Sequence, residues 1–596
     1  MKANWYSSAR LPYLSKASRN SFRSAVFKAG VLVLMLTTTI AFVIAQTPAD
    51  LEKKSLEELM NLEVESVYSA SKYSQKVTEA PSSVSIVTSE QIQRYGYRTL
   101  ADILRSVRGF YVTNDRNYIY LGVRGFARPG DYNTRVLLLI DGHRINDNVY
   151  DQASLGRDLP IEVDLIERVE IVRGSSSSLY GTSAFFAVIN VITKRGRDIK
   201  GIEVSAAAES FGTFKTRLTY GKKTDNFELL VSGSHYGSHG QRQLYFKEFD
   251  TPLTNNGVAV DADDEEASSA FANLSFRDFT LHGTYGSREK GIPTGSFGTV
   301  FNDPRTRTKD RRGYLDLQYE HTFSNQWGVL ARASYDSYRY DGVYIYDFSD
   351  NSTPLLVVQK DYSRGSWWSG ELQLTKILGR NRLNLGTEYR DNLTQNQGNY
   401  DVDPQLTNLD DRRKSKNVAF FLQNEFSIRE NLTVSVGARY DHHSTFGGTI
   451  NPRLALIYHP MAKTTVKLLY GEAYRAPNNY ELYYGSGSTL QTTPTLRPET
   501  ITTNELVFEK YLGDHLRLSA SGYVYRIKGL ISQETNPADG SITFINKEQV
   551  ASKGLELEIE GKLGGGIEGN LAYTLQDTRD RETGQDLTNS PDTWVS

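Results

Sequence analysis

The pattern of apolar and polar positions changes near Arg197. Before that point, apolar residues cluster in continuous blocks, such as residues 136–140 and 187–193, which is typical of strands buried on both faces. Between the blocks lie segments with helical spacing, whose N-caps are predicted at Ser89 and Thr99. The first part of the chain is therefore predicted to be a compact α+β domain.

After Arg197 the apolar positions recur at every second residue, which predicts β-strands with two different faces. Residues 433–441 show this period clearly, and residues 517–525 and 555–561 repeat it. We count about 17 such segments between residues 199 and 578. The alternation fits a soluble sandwich with a dry interior, and equally a transmembrane barrel with an apolar outside and a polar lumen.

The lengths of the connections favour the barrel. Short turns are predicted at residues 378–381 and 429–432. They alternate with long polar segments at residues 238–266, 288–310, 341–362, 392–415 and 477–498. Short turns at one end and long loops at the other are typical of outer-membrane barrels, and Tyr and Phe near the segment ends suit aromatic girdles. The sequence therefore predicts a membrane β-barrel preceded by an α+β domain.

The N-terminus has the features of a secretory signal peptide. Six basic residues and no acidic residue precede an apolar run at residues 29–45, which is short for a membrane helix. Val43 and Ala45 supply the small residues of a cleavage site, so we predict a signal peptide over residues 1–45, with an N-terminal anchor as the alternative. Loss of these positive charges makes the formal net charge more negative than −2, which argues against nucleic acid as a partner.

The motifs do not predict catalysis. The small-residue stretch RGSSSSLYG at residues 173–181 is not a P-loop, because Thr182 and Ser183 follow where a lysine is required and the next segment is strand-like. No HExxH, GxSxG or Walker motif occurs, and the chain has no cysteine. We therefore expect no enzymatic activity, no cofactor and no metal site.

Three charged or histidine-rich segments leave alternatives open. The pair His442–His443 is expected to be solvated at the end of a strand, with a metal or haem ligand as the alternative. In the acidic residues 260–269 the EF-hand spacing fails because Glu266 occupies the glycine position; we expect a solvated loop and leave calcium binding open. A basic run suits an anionic chelate, lipopolysaccharide phosphates or solvation alone. It consists of Arg305, Arg307, Lys309, Arg311 and Arg312.

The ordered series of motifs resembles the TonB-dependent outer-membrane receptors over roughly residues 55–596. The resemblance rests on residues 80–92, 99–112, 121–126, 136–147 and 166–196 in the family's plug domain, and on residues 472–484, 496–500 and 552–558 in its barrel. It implies a 22-stranded barrel around an N-terminal α+β plug, with the plug at residues 76–197 and the barrel at residues 198–596. The stretch at residues 173–181 would then be a tight turn between two plug strands.

The resemblance implies active uptake of a scarce nutrient, with a ferric siderophore as the first expectation and a vitamin B12-type corrinoid as the second. The expected partners are TonB with its inner-membrane energising complex, outer-membrane lipid and the small-molecule ligand, and the protein is expected to be a monomer. A passive porin or adhesin is the alternative, although neither needs a plug. We do not expect a signal transducer, which would need an additional N-terminal domain between the predicted signal peptide and the plug.

The resemblance also implies two sets of site residues. Within the periplasmic segment 46–75, a TonB box is expected at residues 63–70, where an extended segment could add a strand to TonB; an ordinary linker strand is the alternative. Its central residues are Glu65, Ser66, Val67, Tyr68 and Ser69. The ligand is expected at the plug turns 114–118 and 128–133, which face outward in relatives. The residues expected to contact it are Asn114, Arg116, Tyr118, Arg128, Asp131 and Tyr132.

The last expectation concerns barrel closure. The chain stops at Ser596, shortly after a segment that opens a further strand in relatives, and relatives end on an aromatic residue. We therefore expect that about five C-terminal strands are absent, since bacterial barrels strongly favour even strand numbers. The first strand, near residues 201–210, and the last, near residues 569–575, are then expected to share no hydrogen-bond ladder.

Overall fold

The computed structural model describes residues 66–349, 355–485, 490–513, 516–563 and 567–596. The predicted signal peptide, the remainder of the segment before Ser66, and Glu65 lie outside these ranges. Among the described residues, no helix is long and apolar enough to cross a membrane.

Residues 66–199 form the α+β domain, which we call the plug. Its strands are β1 (Ser66–Val67), β2 (Gln75–Lys76), β3 (Ser83–Thr88), β4 (Phe110–Asn114), β5 (Ile119–Val123), β6 (Val136–Ile140), β7 (His143–Arg144), β8 (Ile166–Arg173) and β9 (Ala187–Thr193). Its helices are α1 (Ser89–Tyr95), α2 (Leu100–Arg105), α3 (Ser177–Tyr180) and α4 (Gly196–Ile199).

A five-stranded mixed sheet in the order β3–β8–β9–β6–β7 is the centre of the plug. All five residues of β6 are buried, as its continuous apolar sequence predicts. Thr99 caps α2 through a capping box with Asp102, as predicted. The predicted cap of α1 at Ser89 is wrong by one residue, because Thr88 accepts the hydrogen bond from the Gln91 backbone N–H and Ser89 is already helical.

The stretch RGSSSSLYG joins β8 to β9, which pair antiparallel, and the resemblance therefore gave its position correctly. Its serines are buried against the wall of the large sheet. The Ser175 and Thr503 hydroxyls lie 2.9 Å apart, and the Tyr474 N–H donates to Ser177 Oγ at 3.2 Å. A Cβ atom on Gly471 would lie only 3.1 Å from the Ser175 carbonyl oxygen. Small residues on both sides therefore permit this close backbone approach.

The rest of the chain forms one large antiparallel sheet, which we call the barrel wall. Its strands, with the hairpin β13–β14, are β10 (Gly201–Glu209), β11 (Thr213–Lys223), β12 (Phe227–Ser238), β13 (Gln243–Tyr245), β14 (Val258–Val260), β15 (Glu265–Phe276), β16 (Phe279–Gly291), β17 (Arg307–Thr322), β18 (Trp327–Asp347), β19 (Leu356–Leu378), β20 (Asn381–Asp401), β21 (Leu406–Arg429), β22 (Leu432–His443), β23 (Gly447–Met461), β24 (Thr464–Arg475), β25 (Leu490–Gln491), β26 (Glu499–Leu512), β27 (Leu516–Thr535), β28 (Ile542–Leu563), β29 (Ile567–Asp580) and β30 (Thr593–Val595). One helix, α5 (Asn479–Tyr483), lies between β24 and β25.

The sheet contains 19 strands in the described residues, and its long strands follow one another in chain order. Strand β25 has 2 residues and β30 has 3, so the predicted number of about 17 full strands is confirmed. In the pairings of the described residues, β10 pairs with β11, and β29 with β28 and β30. The expectation that further strands are absent stays a prediction.

Several segments predicted as long loops are strands. Strand β18 extends to Asp347 and β19 begins at Leu356, and between β20 and β21 only residues 402–405 lie outside the strands. Strand β19 has 23 residues and therefore spans about 75 Å at about 3.3 Å per residue, although a membrane-spanning strand needs only about 9–11 residues. These strands continue beyond the membrane. Their polar residues there have the composition of loops, so the sequence pattern predicts loops in their place.

The alternation in the barrel wall is inverted with respect to a soluble sheet. In β22, Ser435 and Arg439 are 3% and 2% exposed, whereas Val436 and Tyr440 are 52% and 43% exposed. Apolar residues therefore face outward, and polar residues face a lumen that the plug fills. This arrangement is stable only when lipid surrounds the sheet, so the prediction of a membrane barrel is confirmed and the soluble sandwich is excluded.

We predict that the loss of stability caused by a charged side chain on the lipid-facing side depends on its depth in the membrane. Leu454 lies in the middle of the apolar face of β23, whereas His442 lies at the end of β22. Leu454→Arg should lower the free energy of unfolding in bilayers by about 2–4 kcal/mol, and His442→Arg by at most about 1 kcal/mol. Denaturant titration in lipid vesicles measures both values. Equal losses for the two variants would contradict this membrane placement.

Candidate functional site

Buried ion pairs join the plug to the barrel wall at mid-height. The Arg124 guanidinium lies 2.6 Å from a Glu505 oxygen and 2.9 Å from a Glu556 oxygen, and all three side chains are buried. Although burial lowers it, these two carboxylates raise the pKa of Arg124 above its ordinary value, so the arginine stays charged. Arg108 lies 3.5 Å from Glu558 in the same network.

A second cluster of ion pairs lies nearer the outer end, which we define as the end with the longer connections. Arg135 of the plug lies 2.6 Å from Glu499 of β26. Arg475 lies 2.8 Å from the same carboxylate and 2.9 Å from Glu481 of α5. The charges on both sides are matched, so this interface is polar and closely fitted.

Both predicted ligand turns of the plug lie at the outer end. In the first turn, the Arg116 N–H donates to Asn114 Oδ1 at 2.6 Å, and the partly exposed Arg116 side chain lies 3.9 Å from Asp263. The Tyr118 hydroxyl donates to Asp310 Oδ2 at 2.9 Å. The structure thus attaches this turn to the connection that precedes β15 and to strand β17 of the wall.

The second turn contacts the wall and the first turn. Arg128 donates at 2.9 Å to the Ile531 carbonyl oxygen and to Ser532 Oγ, and Asp131 lies 2.5 Å from Arg135. Tyr132 has a positive φ of 54° and packs edge-on against Tyr118, with ring centroids 5.6 Å apart. The fold therefore brings the two predicted turns together.

Tyr132 also belongs to an aromatic cluster that sequence reasoning did not identify. Its ring lies 5.4 Å from that of Tyr150, which lies 5.4 Å from Tyr480 of α5 and near two wall tyrosines. Burial raises the pKa of Tyr132 and of Tyr150 well above the ordinary value, so both phenols are neutral hydrogen-bonding groups at physiological pH. The cluster gives the outer end of the plug an apolar floor with hydroxyl groups.

Beside this cluster lies an open cleft of about 790 Å³ between the plug and the wall. Its lining is rich in cationic groups: Arg144, Arg390, Arg413 and Lys414. The Arg390 guanidinium lies over the Trp367 ring at 4.5 Å, and its Nε and Nη2 atoms are buried with no hydrogen-bond acceptor among the described residues. Two orphaned guanidinium nitrogens suit an anionic ligand, because charged acceptors form the strongest hydrogen bonds with arginine.

Two plug carboxylates face the same cleft. Asp147 accepts hydrogen bonds from the backbone N–H groups of Val149 and Tyr150, both at 2.7 Å, and thereby shapes the plug loop. Asp151 accepts from the Ser183 hydroxyl. Burial raises the pKa of Asp151 to about 6, in spite of the opposing effect of Arg144. The net charge of the cleft therefore depends on pH in a range near neutrality.

The described part of the segment predicted to bind TonB, from Ser66 onward, lies at the inner end, folded against the plug and the wall. Strand β1 pairs with β2, and Val67 and Ser69 are buried. The Tyr68 and Ser69 N–H groups donate to Glu170 at 3.1 and 3.0 Å, and Ser69 Oγ donates to the same oxygen at 2.6 Å. In this structure, the segment is therefore held by the plug.

A lysine follows this segment and ties it to the wall. Lys72 Nζ lies 2.7 Å from Glu371 and 2.6 Å from Glu388, and over the rings of Tyr180 and Phe421. Its side chain is buried. Displacement of the segment would separate this charge from both carboxylates.

The acidic segment is solvated only in part, because Asp263 is buried and the residues from Glu265 onward belong to β15. Lys290 Nζ donates to Asp263 Oδ1 at 2.8 Å and to the carbonyl oxygens of Asp263 and Gly291, each at 2.9 Å. This ammonium group pairs with Asp263, whereas Asp264 pairs with Arg307 and Glu265 with Arg288. Among the described residues, no group of His, Cys, Asp or Glu side chains is arranged to hold a metal ion.

The predicted basic run is not one continuous patch, because neighbouring residues of a strand point to opposite faces. Arg312 turns into the lumen, 2.8 Å from Asp336, whereas Arg311 faces outward, 2.8 Å from Asp341. Lys309 pairs with Glu289 at 3.0 Å. His443, at the end of β22 as predicted, stacks on Phe446 with ring centroids 4.4 Å apart.

Two family models match the chain. The family described as TonB dependent receptor-like, beta-barrel, matches residues 259–595, and the TonB-dependent Receptor Plug Domain matches residues 76–188. The structure is similar to the pyoverdine outer membrane receptor FpvA from Pseudomonas aeruginosa, with a TM-score of 0.69 and 17% identity, covering 89% of this chain and 82% of that chain. It is also similar to the ferric enterobactin receptor PfeA from the same species, with a TM-score of 0.66 and 20% identity, covering 87% of this chain and 84% of that chain.

Two characterised relatives come from Vibrio cholerae serotype O1. The vitamin B12 transporter BtuB is 25% identical over 555 residues, which are 86% of this chain and 78% of that protein. The iron-regulated outer membrane virulence protein is 22% identical over 509 residues, which are 79% of this chain and 70% of that protein. A plug inside a lipid-facing barrel, together with family matches over more than half of the sequence, shows that this chain belongs to the TonB-dependent receptors of the outer membrane.

Proposed function

We propose that this protein imports an anionic iron chelate of the siderophore class across the outer membrane, with energy transmitted by TonB. This choice of ligand rests on the cationic cleft beside the tyrosine cluster. In that cleft, Arg390 has two buried nitrogens without a hydrogen-bond acceptor among the described residues. Aromatic rings and arginine together suit the aromatic or carboxylate donor groups of a negatively charged ferric complex. The structural likeness to siderophore receptors agrees with this choice.

The proposed binding surface extends from the cleft to the two plug turns. Asn114, Arg116 and Tyr118 form one edge, and Arg128, Asp131 and Tyr132 form the other. Partly exposed groups of both turns lie at the outer end, where a ligand arrives from outside the cell. We further propose that residues 1–45 direct export and that the mature protein acts as a monomer.

A corrinoid is the second candidate ligand. It is favoured by the 25% identity to vitamin B12 transporters over 86% of this chain. A corrinoid would depend on the plug turns and the tyrosine cluster more than on the cationic cleft. The two candidates therefore differ in their expected sensitivity to Arg390.

We predict that Arg390→Gln weakens binding of a ferric siderophore roughly thirtyfold, because a hydrogen bond to a charged group contributes about 2 kcal/mol. A panel of labelled ferric siderophores and cobalamin, titrated against the purified protein, identifies the ligand and measures this change. Arg412→Gln is the matched control, since Arg412 is exposed on β21 and pairs with Asp410 at 3.1 Å outside the cleft. Arg128→Ala combined with Tyr132→Ala should also weaken binding.

Three results would count against this assignment. Unchanged binding in the Arg128 and Tyr132 double variant would exclude the plug turns as ligand contacts. Equal effects of the Arg390 and Arg412 substitutions would exclude the cleft. Tight binding of cobalamin that is insensitive to Arg390→Gln would favour the corrinoid.

We predict that acidification strengthens binding of the anionic chelate. As the pH falls through about 6, Asp151 takes up a proton and the cleft loses a negative charge. The pKa of Asp151 in the folded protein lies above its ordinary value, so the ionised carboxylate destabilises the plug. The free energy of unfolding therefore also falls as the pH rises through this range. Affinity should increase by about fivefold between pH 7 and pH 5, the size expected for one charge in a partly screened site.

Asp151→Asn tests this assignment. The variant should bind at pH 7 with the affinity that the unaltered protein reaches at pH 5, and it should lose most of the pH dependence. A ligand whose own charge is constant over this range is required. If the unaltered protein and the Asp151→Asn variant show the same pH dependence of binding, a group other than Asp151 is responsible for it.

We propose that residues 63–70 bind TonB by strand addition after they leave the inner end of the plug. When the segment is released, it loses the hydrogen bonds from Tyr68 and Ser69 to Glu170 and the two ion pairs of Lys72, and other contacts must replace them. The freed backbone could then extend a sheet of the partner. This requirement distinguishes an importer from a passive porin.

Deletion of residues 63–70 should abolish uptake by cells while ligand binding at the outer surface persists. Val67→Pro should have the same effect, because proline lacks the N–H group that strand addition needs, whereas the control Val67→Ala should transport normally. A protonophore should block uptake by the unaltered protein. Uptake that survives both the deletion and the protonophore would instead indicate a passive channel.

A further inference from the structure

Three arginines stand side by side on the outward face of the barrel wall. Arg311 of β17 is paired in register with Arg339 of β18, and Arg339 is paired with Arg364 of β19. Each follows the outward alternation of its strand, with Leu315, Tyr335 and Trp368 exposed on the same face. The row therefore faces away from the lumen and from the ligand cleft.

This row is short of counter-charge. Directly opposite like charges destabilise an antiparallel pair. Asp341 is the one acidic side chain paired with the row among the described residues; it contacts Arg311 at 2.8 Å and also Arg364. Arg339 is exposed and makes no hydrogen bond or ion pair within the described part of the chain. Three guanidinium groups with one carboxylate leave a local excess of positive charge that an external anion would relieve.

An apolar groove begins directly next to the row, on the membrane side. It is a shallow, open depression of about 790 Å³ when the adjoining open space is included. Its floor consists of small residues: Ala270, Ala272, Gly283 and Gly313. Tyr285 and Tyr335 stand beside it. Gly313 is two positions from Arg311, so the end of the groove and the charged row are about 7 Å apart.

The row lies at the outer boundary of the membrane. On strands β17 to β19 the registered set Leu315, Tyr335 and Trp368 is followed, towards the long loops, by Gly313, Ser337 and Ser366, and then by the arginines. Exposed aromatic residues of this kind mark the membrane interface. The arginines are thus at the height of lipid head groups, whereas the groove is at the height of acyl chains.

We propose that this surface binds a phosphorylated glycolipid of the outer leaflet, with head-group phosphates on Arg311, Arg339 and Arg364 and one acyl chain in the groove. Arginine forks match phosphate oxygens geometrically, and basic residues at the membrane surface attract anionic head groups. The small residues of the floor admit a chain that bulkier side chains would displace. This site is independent of nutrient uptake.

The test uses the full-length protein in phosphatidylcholine nanodiscs. Bisphosphorylated lipid A, lipid A with both phosphates removed, phosphatidylglycerol and inorganic phosphate are each titrated, and bound lipid is counted by native mass spectrometry. We expect retention of bisphosphorylated lipid A alone. Arg339→Glu should weaken binding of bisphosphorylated lipid A by about tenfold or more, since each basic residue at the membrane surface attracts the anionic head group. Arg339→Lys should retain most of the binding.

Ala270→Phe probes the groove separately, because Ala270 is exposed and the larger ring fills the floor without entering the lumen. It should weaken lipid A binding and leave the charged row intact. Arg277→Glu, in the short turn at the opposite end of β15, is the matched control and should have no effect. Heat-modifiable migration on gels confirms that each variant is folded.

The proposal is overturned if dephosphorylated lipid A binds as well as the bisphosphorylated form, or if phosphatidylglycerol binds equally. It is also overturned if Arg339→Glu and Arg277→Glu have the same effect. Should Arg339→Glu not fold, Arg339→Gln replaces it, with a smaller expected loss. Unchanged binding in both the Gln variant and Ala270→Phe would exclude this surface.

Discussion

Ion pairing between plug arginines and barrel glutamates is the constraint around which the rest of the structure is arranged. Because the wall turns its apolar side chains to lipid, its inner face is polar, and the plug must supply complementary charge. Arg124 does so between Glu505 and Glu556, and Arg135 does so at Glu499. Removal of one partner would leave a buried charge uncompensated, at a cost of about 3–5 kcal/mol. The plug is therefore fixed in register and height.

This form of attachment would also permit the plug to move. Polar contacts can be exchanged for water, whereas a large apolar interface between plug and wall would resist hydration. The inner end is arranged in the same way: Glu170 and Lys72 hold the N-terminal segment by hydrogen bonds and ion pairs. At the outer end the matching is incomplete, since Arg390 retains nitrogens without acceptors. The site of unmatched charge is thus where we propose that the ligand binds.

The two-residue period of the strands distributes function between the two faces of the wall. Neighbouring residues such as Arg311 and Arg312 serve different surroundings, one at the lipid boundary and the other against Asp336 in the lumen. Consecutive basic residues in the sequence consequently lie on opposite faces of the sheet. The same principle separates Trp367, which lies under the Arg390 guanidinium, from Trp368, which faces lipid.

The sequence by itself determined the architecture, because strand alternation, turn lengths and apolar blocks are local signals. It indicated the plug, the number of full strands and the cap of α2 at Thr99, whereas the outward position of residues 114–118 and 128–133 was implied by the family resemblance. It misplaced strand ends, because polar residues in strands beyond the membrane resemble loops. Only the tertiary structure placed Lys290 in the acidic cluster and aligned Arg339 with two other arginines. Such contacts join residues that are distant in the chain, and cross-strand register is set by the assembled sheet rather than by any local pattern.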